Sequence, residues 1–135
     1  MRLWHKELIQ YLPRQQLLGQ WRECCAIARN ISTKGTPNHV LVNKVLEYKD
    51  EDFNTYTYKV VQEMIERGYD PDITRFFKHR KIGIVDFYPK QEIFKDWHND
   101  RYMKQCLMNL QEKADCGAIP AEEWKKITDI WPEMK

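Results

Sequence analysis

PRQQLLGQWRECCAIARN, residues 13–30, decides the fold class. At about 100° per residue, Leu17, Leu18, Trp21, Cys24, Cys25 and Ala28 share one broad face, which predicts an amphipathic helix. Pro13 suits the first turn, where no amide hydrogen is lost. The helix is expected from about Pro13 to Ala28, ending near Asn30. Gly19, Glu23 and Ala26 fall on the opposite face with Gln15, flanked by Arg22 and Arg29. An interior helical glycine costs roughly 1 kcal/mol against alanine. That leaves two readings open: a solvated carboxylate beside an incidental glycine, or a place where something approaches the backbone closely.

Outward from this helix the pattern stays helical. NISTKGTPNH (30–39) crowds turn-forming residues together, and VLVNKVLEY (40–48) fits either a strand or a helical turn. A second long helix follows, capped by Asp50 or Asp52, with Tyr56, Val60, Met64 and Ile65 as its apolar stripe. Gly68 is its expected stop. DPDITRFFKHRK (70–81) begins with a capping Asp and adds one short turn, and IGIVDFYPKQEIF (82–94) reads as irregular. DRYMKQCLMNLQEK (100–113) predicts a third long helix, with Met103, Cys106, Leu107 and Leu110 in line. IPAEEWKKITDIW (119–131) predicts a last short one, with Pro120 in its first turn. Without repeats, low-complexity tracts or a linker, the expectation is one all-α domain over residues 1–135, with about three main helices and long irregular loops.

The bulk composition narrows the function classes. At 135 residues and 42% hydrophobic content, the chain can bury a real core. A net charge of only +2 advertises no global affinity for nucleic acid, so any basic footprint must be local. Cys24, Cys25, Cys106 and Cys116 fit no zinc spacing, and MRLWHKELIQYL is too polar for a secretion signal. These features predict reduced thiols in a cytoplasmic protein. No apolar run approaches the roughly 20 residues that span a bilayer. His5, His39, His79 and His98 are scattered without ligand spacing and read as structural or surface groups, so neither metal nor cofactor is implied. KHRK (78–81) is a compact basic patch able to track phosphates, although such runs are usually only solvated; Trp124 and Trp131 read as core or interface.

The N-terminus carries one further reactive group. A free α-amine titrates near 7.7–8.0, far below lysine, which makes it a usable nucleophile at neutral pH that can form a Schiff base with a sugar carbon. Arg2 beside it can hold a phosphate. The amine matters only if it lies near a carboxylate such as Glu23.

RQQLLGQWREC (14–24), His39–Val40 and YKVVQEMIERGYDPD (58–72) resemble the pyrimidine-dimer DNA glycosylase, or endonuclease V, family. MRLWH and YLPRQQLLG resemble its bacterial and phage branch. The resemblance covers roughly residues 1–70 and implies a single all-α domain of three main helices. It also implies a glycosylase and abasic-site lyase without cofactor, acting on pyrimidine-dimer or abasic sites in double-stranded DNA. In this family an N-terminal amine attacks the deoxyribose C1′, the base leaves, and β-elimination cuts the strand. A bulky Arg2 retains Met1, so Met1 supplies the amine here, and Glu23 is the carboxylate that stabilises the iminium sugar. Arg2 and Arg22 correspond to phosphate contacts, and Arg29 stands one turn from another. Gln16 occupies a DNA-facing position, and Gly19 allows the close approach that nucleotide extrusion needs.

Two other expectations compete. One is a non-catalytic relative that binds nucleic acid or a nucleotide through the same pocket, for example as a phage anti-defence protein. The other is a helical interaction module with an exposed Glu23.

Overall fold

Every regular element in the structure, a computed structural model describing residues 2–33, 39–81 and 87–135, is helical. The helices are α1 (Arg14–Thr33), α2 (Val40–Leu46), α3 (Asp50–Glu66), α4 (Thr74–Phe77), α5 (Asp100–Asp115) and α6 (Ala121–Ile130). Short 3-10 segments at Lys6–Tyr11 and Pro132–Met134 lie towards the ends. The three long helices are α1, α3 and α5, as the periodicity predicts. The ambiguous stretch after His39 is the helix α2, whose first turn is capped by His39 Nδ1 accepting from the Val42 amide at 3.3 Å.

Burial of the apolar stripes supplies the driving force. Leu17, Trp21, Cys24 and Ala28 of α1 share one core with Phe53, Tyr56, Val60 and Met64 of α3 and with Cys106, Leu107 and Leu110 of α5. Each large side chain so buried contributes about 1.5–3 kcal/mol before the entropy of ordering it. Leu3, Trp4, Leu8, Ile9 and Leu12 join the same core from the N-terminal segment, with Leu3, Leu8 and Leu12 fully enclosed. All four cysteines are free thiols, and Cys116 alone among them is exposed. No helix among the described residues is long and apolar enough to cross a membrane.

Several local expectations are corrected. α1 continues to Thr33 rather than stopping near Asn30, because the Ser32 and Thr33 hydroxyls donate to the Arg29 carbonyl and satisfy the last turn. Lys34–Asn38 of the predicted turn, and residues 82–86 of the predicted irregular stretch, lie outside the described residues. The N-cap of α3 is Lys49, not Asp50 or Asp52. Asp52 is instead buried, accepting from Lys90 Nζ at 2.6 Å and the Phe94 amide at 3.0 Å. This fastens the loop before α5 onto α3. Ile65 leaves the predicted stripe and is 52% exposed. Pro13 and Pro120 each stand one residue before their helices, where their carbonyls accept the first helical amides. Gly68 does end α3: its φ of 93° lets the Tyr69 amide turn back to the Met64 carbonyl at 2.9 Å.

Candidate active site

Residues 2–4 belong to no regular element, so their backbone depends on side chains for its hydrogen bonds. Gln20 of α1 meets that need from a buried position. Its Oε1 accepts from the Trp4 amide at 2.7 Å, and its Nε2 donates to the Arg2 carbonyl at 3.0 Å. The Tyr56 hydroxyl of α3 lies 2.7 Å from both the Trp4 carbonyl and Gln20 Oε1, so its single proton is shared between them. Tyr102 of α5 donates to the Leu3 carbonyl at 2.6 Å. Three helices therefore grip the chain immediately after Met1, which itself lies outside the described residues.

Beside this grip is a depression of about 310 Å³. Gln16, Gly19 and Glu23 line it from α1, Arg2 and Trp4 from the N-terminal segment, and Asn109 and Lys113 from α5. Glu23 Oε1 is buried there without a hydrogen-bond partner among the described residues. Burying a carboxylate oxygen unpaired is costly, and most buried polar atoms avoid it. The Arg2 guanidinium packs 5.3 Å over the Trp4 ring, and its Nη1 donates to Cys106 Sγ at 3.8 Å. Among the described residues, a Cβ on Gly19 would meet only the Arg22 guanidinium, at 3.7 Å, so none of them requires a glycine there.

A second depression, of about 430 Å³, opens along the same helix. Arg22 and Arg29 line it from α1, with Arg75 on α4 and Lys78 and His79 just beyond. His79 Nδ1 is 2.9 Å from the Ser32 hydroxyl, which ties the two rims together. The KHRK patch is thus divided. Lys78 and His79 face this basic hollow, while Arg80 turns inward with a 5% exposed side chain. Arg80 pairs with Asp50 at 3.3 Å, donates to Asn54 at 2.8 Å and stacks on Phe53 and Phe76.

Of the predicted site residues, Arg2, Gln16, Gly19 and Glu23 therefore meet in one depression, and Arg22 and Arg29 stand in its neighbour. Gln20, Asn109, Lys113 and Arg75 were not singled out by the sequence. Only Arg75 carried a signal, since its spacing to Lys78 and His79 fits one helical turn. The histidines have structural places. His5 and His98 are buried and stacked at 5.2 Å, and burial pushes the His98 imidazole down to about 2. Among the described residues no three His, Cys, Asp or Glu side chains gather to hold a metal ion.

No curated protein and no solved structure matches the chain. The family model described as pyrimidine dimer DNA glycosylase matches residues 1–76. The matched stretch includes α1, α3, the Gln20 and Tyr56 contacts to the N-terminal segment and Arg75 of the basic hollow, but not Tyr102 of α5. The match spans more than half of the chain, which therefore belongs to the pyrimidine dimer DNA glycosylase family, a DNA repair family whose substrate is DNA.

Proposed function

We propose that the chain is a DNA glycosylase and abasic-site lyase that attacks damaged duplex DNA, at a pyrimidine dimer or an abasic site, with its N-terminal amine. The Met1 amine forms a bond to the deoxyribose C1′. The glycosidic bond breaks, its electron pair leaving with the base, which takes up a proton. The amine loses a proton, O4′ takes one up as the C1′–O4′ bond breaks, and an iminium ion results; at an abasic site, where no base remains, the amine condenses with the C1′ aldehyde and water leaves instead. A proton then leaves C2′, the C3′–O bond breaks, and the 3′ phosphate departs as the strand is cut. Water finally hydrolyses the imine and frees the amine.

The observation that carries this reading is the buried Glu23 Oε1, without a hydrogen-bond partner among the described residues, in a depression it shares with Arg2, the residue bonded to Met1. A carboxylate with no partner among the described residues suits a cation that exists only during the reaction. Next to the amine it also suits proton transfer at C2′. Gly19 fits the same picture, because its lack of a side chain leaves space that no atom of the described residues fills. Arg22 and Arg29, with Arg75, Lys78 and His79, suit the phosphates of the approaching strand, and Arg2 and Gln16 suit those nearer the reacting sugar. With a net charge of +2, binding rests on these local groups and weakens steeply with salt.

Borohydride trapping on duplex DNA bearing one abasic site tests the proposal. The wild-type chain is expected to give a covalent adduct through Met1. Blocking the amine should abolish it, and Glu23→Gln should reduce it strongly. Retained DNA binding without any adduct would favour a non-catalytic nucleic-acid or nucleotide binder instead.

A further inference from the structure

The geometry points to Gln20 as a positioning residue for this reaction, a role that rests on the amine-based reading above. Gln20 is 2% exposed and uses both ends of its amide on one short piece of chain. Oε1 accepts from the Trp4 amide, Nε2 donates to the Arg2 carbonyl, and the Tyr56 hydroxyl closes the arrangement from α3. The grip ends one peptide bond short of Met1. It also begins one helical turn before Glu23, so a single rigid helix carries both the carboxylate and the anchor of the amine-bearing chain. Neither an apolar residue nor a shorter amide can satisfy a donor and an acceptor two residues apart in this way. A looser N-terminal segment would still bind DNA through the basic hollow but would present the amine over a wider range of positions. Rates respond steeply to such freedom, with about 10²-fold lost for roughly 1 Å of misplacement.

The test compares wild type, Gln20→Met, Gln20→Glu and Tyr56→Phe on abasic duplex DNA. It measures the single-turnover rate of borohydride-trapped adduct at saturating DNA, together with the Kd for uncleaved duplex. Gln20→Met should lower the rate about 10–100-fold while the Kd stays within about twofold. Gln20→Glu keeps the acceptor for Trp4 and Tyr56 and should recover part of the rate. Its rate relative to wild type should rise as pH falls, because only the protonated carboxyl can donate to the Arg2 carbonyl. A purely structural glutamine would produce neither the split between rate and affinity nor this pH trend. If Gln20→Met does not fold, Tyr56→Phe removes the shared hydroxyl, keeps the ring, and should show the same split with a smaller loss. An unchanged rate at saturating DNA, or a loss confined to Kd, overturns the role of Gln20. A wild-type chain that forms no adduct overturns the amine chemistry itself, and that failure is distinct because no substitution is involved.

Discussion

The Lys6 amide donates to His98 Nδ1 at 2.9 Å, joining the N-terminal segment to the loop that precedes α5. This bond fixes the tautomer: Nδ1 accepts, so Nε2 keeps the proton, buried and without a hydrogen-bond partner among the described residues. The ring is enclosed by His5, Tyr56, Phe94, Trp97 and Tyr102, and the nearby cation is Lys6. Burial above all, then His5 and Lys6, moves His98 from the ordinary 6.5 to about 2.

Acid should therefore weaken the fold through this residue. Between pH 6.5 and about 2 the unfolded chain binds a proton at His98 that the folded chain does not. The stability linked to neutral His98 is complete above pH 6.5 and declines as pH falls, by up to about 1.4 kcal/mol per unit. His5, also lowered by burial, adds in the same direction. His98→Phe should cost about 1–3 kcal/mol near neutrality, because the Lys6 amide loses its acceptor. Its urea midpoint should nonetheless change less than that of wild type between about pH 6.5 and pH 4.5. Parallel midpoint curves would rule out His98 as the source of acid sensitivity.

Gly19→Ala should separate stability from activity. Among the described residues a Cβ at this position meets nothing nearer than 3.7 Å, so the helix gains propensity without a clash with them. The expected gain is about 1 kcal/mol, or roughly 3–5 °C in Tm. On the proposed function the same methyl group intrudes where a nucleotide approaches α1, and adduct formation should fall about tenfold or more. A variant that is both more stable and fully active would show that nothing needs that space.

Why some of this was readable in the sequence and some was not follows from how each feature is encoded. The long helices announce themselves because Leu17, Trp21, Cys24 and Ala28 repeat at helical spacing within one segment. Glu23 was legible for the same reason, since projecting one helix places it among Gly19 and Arg22. Gln20 was not. It is a polar residue at a buried helical position, and its partners are backbone atoms of residues 2 and 4 and a hydroxyl on another helix. Asp52 misled in a similar way: its position at the start of α3 suggests a cap, whereas its carboxylate serves Lys90 and Phe94 from a loop far along the chain. The basic hollow needs α4 packed on α1 before Arg75 and Lys78 can join Arg22 and Arg29.

The divided KHRK patch yields a contrast between neighbours. Lys78→Ala and Arg75→Ala should each weaken duplex DNA binding and lower the slope of log K against log salt by about 0.9, leaving Tm nearly unchanged. Arg80→Ala should do the reverse. It removes a charged hydrogen bond to Asn54 and the stacking on Phe53 and Phe76, at about 2–3 kcal/mol, while the salt slope stays at the wild-type value. Filter binding across a salt series and thermal melts of the three variants measure both quantities. A salt slope altered by Arg80→Ala but not by Lys78→Ala would reverse this assignment of the patch.

Glu23→Gln should be as stable as wild type or slightly more so, and much less active. The wild-type carboxylate keeps one oxygen buried with no partner among the described residues, which is a standing cost in the resting protein. An amide of the same shape removes the charge from that environment, so Tm should hold or rise by a few degrees. On the proposed mechanism the variant lacks both a counter-charge for the iminium ion and a proton acceptor near C2′. Trapped adduct should fall by about 10²–10³-fold at saturating DNA. If Glu23 were instead a structural residue, its removal would lower Tm and leave the adduct rate of the folded fraction intact. A thermal melt and a trapping time course on the same preparation separate the two, because the signs of both changes differ.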